Sequence, residues 1–179
     1  MLPMSFPITT ILLTVLVLLV IVAVFAYFYV ATLRTEIAEI WRVLLAGLRL
    51  RLDKIPNLVE TVVAFVPDRR ASLLELADLR SSTWPMLTAD KKNVQNELEI
   101  SAQLNQVWQQ GGAIEALATD TNFLALKMEF KKIGAELEDV AGKYNERVRG
   151  YNGVLGNAIM APFGALFRFK KLPIFEVEG

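Results

Sequence analysis

The chain has 179 residues, of which 54% are hydrophobic and 21% charged, with a formal net charge of 0 and a mean hydropathy of +0.39. It contains neither Cys nor His, which excludes disulfides, thiol chemistry, thiolate metal sites and the commonest general base and zinc ligand. Balanced charge and a pI near 6.4 argue against bulk binding to nucleic acid.

The apolar excess is concentrated at one end, because residues 1–33 carry no charged side chain. The uncharged run from Ile8 to Leu33 exceeds the roughly 20 residues a helix needs to cross a bilayer core. Tyr27, Phe28 and Tyr29 lie near its charged end, where an aromatic belt sits. A cleaved signal peptide has a shorter apolar stretch, about 7–15 residues, behind basic residues, and no Lys or Arg precedes this run. Arg34, Arg42, Arg49, Arg51 and Lys54 all follow it. The positive-inside rule therefore places the N-terminus outside and the body in the cytoplasm. Three parts are expected: a short segment and single transmembrane helix over 1–33, a cytoplasmic helical bundle over 34–158, and a Phe/Lys-rich tail over 159–179.

Trp41, Leu45, Leu48, Leu52, Ile55, Val59, Val62 and Val66 alternate spacings of four and three, which predicts a helical rod over 34–66 with one apolar stripe. Pro56 leaves the phase unchanged, so the rod is expected to kink and continue. No Gly or Pro separates Leu33 from Ala46, and the rod is expected to run straight on from the span. A second helix over 68–84 would start at Asp68 after Pro67, or at a Ser72/Glu75 capping box. A third would run from Thr88 through Val94, Leu98, Leu104 and Trp108 to Gly111-Gly112. Asp120, Thr121 or Asn122 would cap the last rod over 123–155. Its stripe reads Phe123, Leu126, Phe130, Ile133, Leu137, Val140, Tyr144, Tyr151 and Leu155, with Val148 filling in beside Arg147. The fold class is all-α: an N-terminal transmembrane helix followed by an antiparallel bundle of three or four long helices. Four rods return the tail to the membrane and three leave it distal.

The string Arg51-Leu52-Asp53-Lys54-Ile55-Pro56-Asn57-Leu58-Val59-Glu60-Thr61-Val62 resembles the signature of the LemA family. So do Asn122-Phe123-Leu124-Ala125-Leu126, the run from Lys143 through Tyr144-Asn145 to Tyr151-Asn152, and Pro173-Ile174-Phe175-Glu176. The resemblance covers most of residues 30–176. It departs at Lys127-Met128-Glu129, where the family usually has Gln-Glu, and at Phe163-Gly164-Ala165-Leu166-Phe167, where it usually reads Phe-Gly-Phe. The resemblance implies a single-pass protein of the bacterial inner membrane with a cytoplasmic helical bundle and no established enzymatic activity.

The residues themselves give few chemical sites. Glu60 reads as an exposed position beside the stripe, or as an ion-pair partner for a neighbouring helix. Asn57 reads as a local partner for backbone groups freed at Pro56. Tyr144-Asn145 and Tyr151-Asn152 form a pair repeated after seven residues, with both tyrosines on the stripe, where packing is the expected role. Glu129, Glu136, Glu138 and Asp139 read as solvated surface, since a carboxylate di-metal bundle also wants His. No cofactor or metal is expected. In the tail, Phe163, Phe167, Arg168, Phe169, Lys170 and Lys171 suit contact with an anionic membrane surface, or rings packed back on the bundle. Gly142, Gly150, Gly153, Gly156 and Gly164 weaken the last helix, at up to about 1 kcal/mol each, which points to close approach of another copy. The expected function is a non-enzymatic, self-associating scaffold at the cytoplasmic face, with membrane lipid as partner. The alternative is an adaptor or regulatory subunit of another membrane protein complex, such as a protease or transporter.

Overall fold

In the computed structural model, residues 5–69, 73–76, 78 and 91–175 are described, and among them every regular element is helical. Helix α1 spans Ser5–Phe65, 61 residues and roughly 90 Å, straight through the 33/34 boundary and through Pro56. After a short turn at Pro67–Arg69 come α2 (Lys91–Gly112), α3 (Glu115–Ala118), α4 (Thr121–Gly156) and α5 (Ala161–Leu166). An extended tail follows to Phe175. Most of the expected second helix, and the expected helix start at Thr88, lie outside the described residues. The helical stretch 73–76 buries Leu73 and Leu76 in the core that holds Val62.

The first third of α1 is uniformly apolar, and from Ile8 to Phe25 its large side chains are solvent-exposed around the whole helix. This is the one stretch among the described residues long and apolar enough to cross a membrane. Burial begins at Ala26 and Val30 and continues through Ile37, Trp41, Leu44, Leu48, Leu52, Ile55, Leu58 and Val62. The seam thus passes through Leu44 and Leu58, with the expected Leu45 and Val59 half-buried beside it. In α4, Ala141 likewise replaces Val140 at the centre. A helix turns every 3.6 residues rather than 3.5, so the seam drifts about 20° per heptad. Where two apolar residues adjoin, the drift selects which one is covered.

Helix α4 lies antiparallel along α1. Lys54 pairs with Glu129 at 2.9 Å and Arg147 with Glu36 at 3.4 Å, which fixes direction and register at both ends. The rods approach closely at Gly47, where a Cβ would sit 2.8 Å from Leu137 Cδ2. Helix α2 runs parallel to α1, since its Glu97 meets Arg51 while Val107 and Gln110 lie with Val62 and Val66. It ends at Gly111-Gly112 as the sequence predicts, and Gly111 leaves the room that the Phe123 ring occupies, 2.6 Å from where a Cβ would be. Of the three candidate caps for α4, Asp120 is the one that accepts the Phe123 N–H, at 2.8 Å. The carboxyl end of α4 therefore returns beside the apolar part of α1, the arrangement expected of four rods.

Candidate functional site: a buried ion pair and a clasped tail

Arg51 opens the proline-containing motif, and α1 turns it inward, where it is only 4% exposed. It forms an ion pair with Glu97 of α2, which is fully buried. Ser101, one turn further along α2, accepts from Arg51 Nη1 at 3.2 Å and donates to Glu97 Oε1 at 3.4 Å. Arg51 Nε and Glu97 Oε2 have no hydrogen-bond partner. Burial lowers the guanidinium from its ordinary value to about 10, which still leaves it charged at neutral pH. Sequence reading marked Arg51 by its motif alone. It missed Glu97 and Ser101, since a Glu in a polar helix looks like any surface residue.

Beside this pair lies a cleft of about 410 Å³ between α2 and α4. Trp108 and Phe130 line it with ring centres 5.2 Å apart, and Lys127, Lys131 and Glu138 contribute from α4. The apolar positions of the motif around Arg51 serve packing. Ile55 and Leu58 are fully buried, Pro56 and Val59 half-buried, and Asn57 and Glu60 exposed. The Asn57 carbonyl takes the Thr61 hydroxyl at 2.8 Å. Asn122 is exposed and Phe123 buried, against Trp108. Glu129 is paired with Lys54 and Asp139 with Lys143. No metal-holding cluster of carboxylates occurs among the described residues.

The repeated Tyr-Asn pairs hold the tail. The Asn145 amide donates to the Phe175 carbonyl at 2.7 Å and accepts the Phe175 N–H at 2.8 Å. Asn152 does the same for Leu172, at 2.8 and 2.9 Å. The Tyr144 hydroxyl donates to the Pro173 carbonyl at 3.2 Å, and that of Tyr151 to the Lys170 carbonyl at 3.1 Å. Each asparagine thus acts as a neighbouring strand would, presenting one donor and one acceptor to the same residue. The spacing follows from helix and strand geometry. Seven helical residues rise about 10.5 Å, and three extended residues cover about 10 Å. An Asn every seventh residue therefore matches every third residue of an antiparallel extended tail. Phe175 of the tail is fully buried against Trp41 at 5.3 Å, with Tyr144 also on Trp41 at 5.4 Å.

Burial raises the Tyr144 phenol from 10.0 to about 12, and raises that of Tyr151 despite the opposing charge of Arg34. Between these values the folded chain keeps a proton that the unfolded chain loses. The stability linked to Tyr144 is complete below pH 10 and falls as pH rises towards 12. Absorbance titration at about 295 nm should show a phenol ionising near pH 12 that Tyr144→Phe removes. An unchanged titration curve in that variant would contradict the assignment.

The tail rings, for which the sequence leaves lipid contact and packing on the bundle both open, are partly tucked in. Phe167 and Phe169 pack on Tyr27 at 5.1 and 5.8 Å, and Phe163 is half-buried. Arg168, Lys170 and Lys171 are exposed beside them. At the end of α5 the Phe169 N–H bonds the Gly164 carbonyl at 2.9 Å and the Arg168 N–H that of Ala165 at 3.2 Å. Arg168 takes the left-handed position of this cap, with φ 57°, where glycine is usual.

An apolar exposed helix that runs unbroken into an antiparallel bundle, with an extended tail clasped by asparagines, defines a helical-bundle protein with one candidate membrane span. The chain belongs to the LemA family, whose family profile matches residues 40–179. No curated protein matches the chain.

Proposed function

We propose that this protein is a non-enzymatic, membrane-anchored bundle that self-associates as a scaffold at the cytoplasmic face of the bacterial inner membrane, its N-terminus outside. The observation that carries the reading is the continuity of α1 from its exposed apolar third into the core of the bundle. A hinge-free helix transmits the orientation of the anchor to the bundle, so neighbouring copies meet in similar poses. Confinement to two dimensions raises effective concentration, and weak contacts then suffice. The outer face of α4 supports the same reading, because a Cβ on Gly142 or Gly150 would meet nothing within 4 Å. Within the chain, close approach is made at Gly47, Gly111 and Gly164 instead.

The experiment is the mass of the full-length protein in lipid nanodiscs, beside Gly150→Leu. The parent is expected to be a uniform oligomer. The variant should melt within about 1 kcal/mol of the parent, since leucine favours a helix over glycine, yet it should assemble less. A monomeric parent would sink the scaffold reading. The second reading, an adaptor or regulatory subunit of another membrane complex such as a protease or transporter, is favoured by the cleft beside Arg51. It expects a small species until the partner is added.

A further inference from the structure

The end of the bundle beside the apolar helix is basic. Arg34, Arg147, Arg149, Arg168, Lys170 and Lys171 lie there, and no Asp or Glu occurs in residues 1–35 or 147–175. Arg147 is paired with Glu36, whereas Arg149, Arg168, Lys170 and Lys171 are exposed. At the same level, a shallow hollow of about 410 Å³ is lined by Tyr29 of α1 and by Gly153, Val154, Asn157, Ile159 and Met160. A Cβ added at Gly153 would meet nothing within 4 Å, so a larger side chain there has room to enter the hollow. Below Tyr29 on the same face of α1, Phe25 and Val22 are 71% and 50% exposed, and Ile159 is 75% exposed. Lys171 reaches over Gly156, its Nζ 3.9 Å from where a Cβ would sit, and Arg149 stands one helical turn from Gly153.

An apolar hollow continuous with a membrane-length apolar helix, and edged by an excess of cations, matches an amphiphile with an anionic head. We propose that this hollow holds a phospholipid with an anionic headgroup, its acyl chain along Val22, Phe25 and Tyr29 and its phosphate between Lys171 and Arg149. The hollow is a lipid contact separate from the phenylalanines, two of which pack on Tyr27. The proposal rests on the reading of α1 as a membrane span. It differs from general attraction to an anionic surface in needing the hollow as well as the charge.

The test places the full-length protein in nanodiscs of phosphatidylcholine with one-fifth phosphatidylglycerol and weighs the lipids retained after gentle release into the gas phase. One phosphatidylglycerol per chain is expected, enriched over its bulk share. Lys171→Gln and Arg149→Gln should each reduce the enrichment about fivefold, the share of one basic residue at an anionic surface. Gly153→Leu fills the hollow without altering charge, and should abolish the retained lipid. Equal enrichment in the parent and Gly153→Leu, or no enrichment in the parent, would overturn the proposal. Flotation of the chain with vesicles is scored first. A chain that fails to float overturns the span and the lipid site together, whereas one that floats without retaining lipid overturns the site alone.

Discussion

Replacing Glu97 with Leu is expected to lower the stability of the bundle by about 3–5 kcal/mol, the usual cost of stranding one partner of a buried ion pair. The reason lies in Arg51. It is 4% exposed, and although burial lowers it to about 10, it stays charged near neutral pH. With Glu97 gone, the Ser101 hydroxyl at 3.2 Å is the hydrogen-bond partner left to the guanidinium among the described residues. The reverse change, Arg51→Met, should cost less, because a stranded carboxyl can take up a proton and a guanidinium cannot release one as readily. The double variant Arg51→Met with Glu97→Leu should regain most of the loss, since apolar residues of similar volume often replace a buried pair at little cost. Chemical unfolding of all four proteins in one detergent measures the cycle. A double variant as unstable as Glu97→Leu would show that the pair does not act as a unit.

Removing both clasps should free the tail while leaving the rods intact. Each asparagine makes two hydrogen bonds to the tail backbone, worth together about 2 kcal/mol net. Asn145→Ala or Asn152→Ala is therefore expected to speed amide exchange at Phe175 or Leu172 about 30-fold, and the double variant considerably more. Protection in the part of α4 that lies on α1 should change little, since Leu137 packs directly over Gly47. Trp41 offers a second readout. Its indole N–H is buried without a partner and its ring touches Phe175, so its fluorescence should shift towards that of a solvated indole. Unaltered exchange at both tail amides would mean that Phe175 alone holds the tail.

The rods were legible because apolar spacing records burial directly: Phe123, Leu126, Phe130, Ile133 and Leu137 all lie where their periodicity put them. One-residue shifts such as Leu45 to Leu44 escaped because adjoining leucines make the pattern ambiguous within the drift of a real helix. Tyr144 and Tyr151 were legible as stripe residues, but Asn145 and Asn152 were not legible as clasps. Their partners are backbone groups 20 and 30 residues away, and backbone leaves no side-chain signature. The Arg51–Glu97 pair was hidden for a related reason, since a polar residue at the buried face of a helix reads as an interruption until its partner is known.

If α1 spans the membrane, its unbroken course sets the tail end of the bundle at the bilayer surface and its other end in water. A chain without cysteine accepts single cysteines for spin labels without background reaction. Labels at Leu166, 68% exposed, and at Gly112, where a side chain meets nothing within 4 Å, would be compared in liposomes. Collision with oxygen, which favours lipid, and with a polar nickel chelate, which favours water, reports the depth of each. The expected result is oxygen-dominated collision at Leu166 and nickel-dominated collision at Gly112. Water-like collision at both positions would contradict the claim and detach the bundle from the membrane surface.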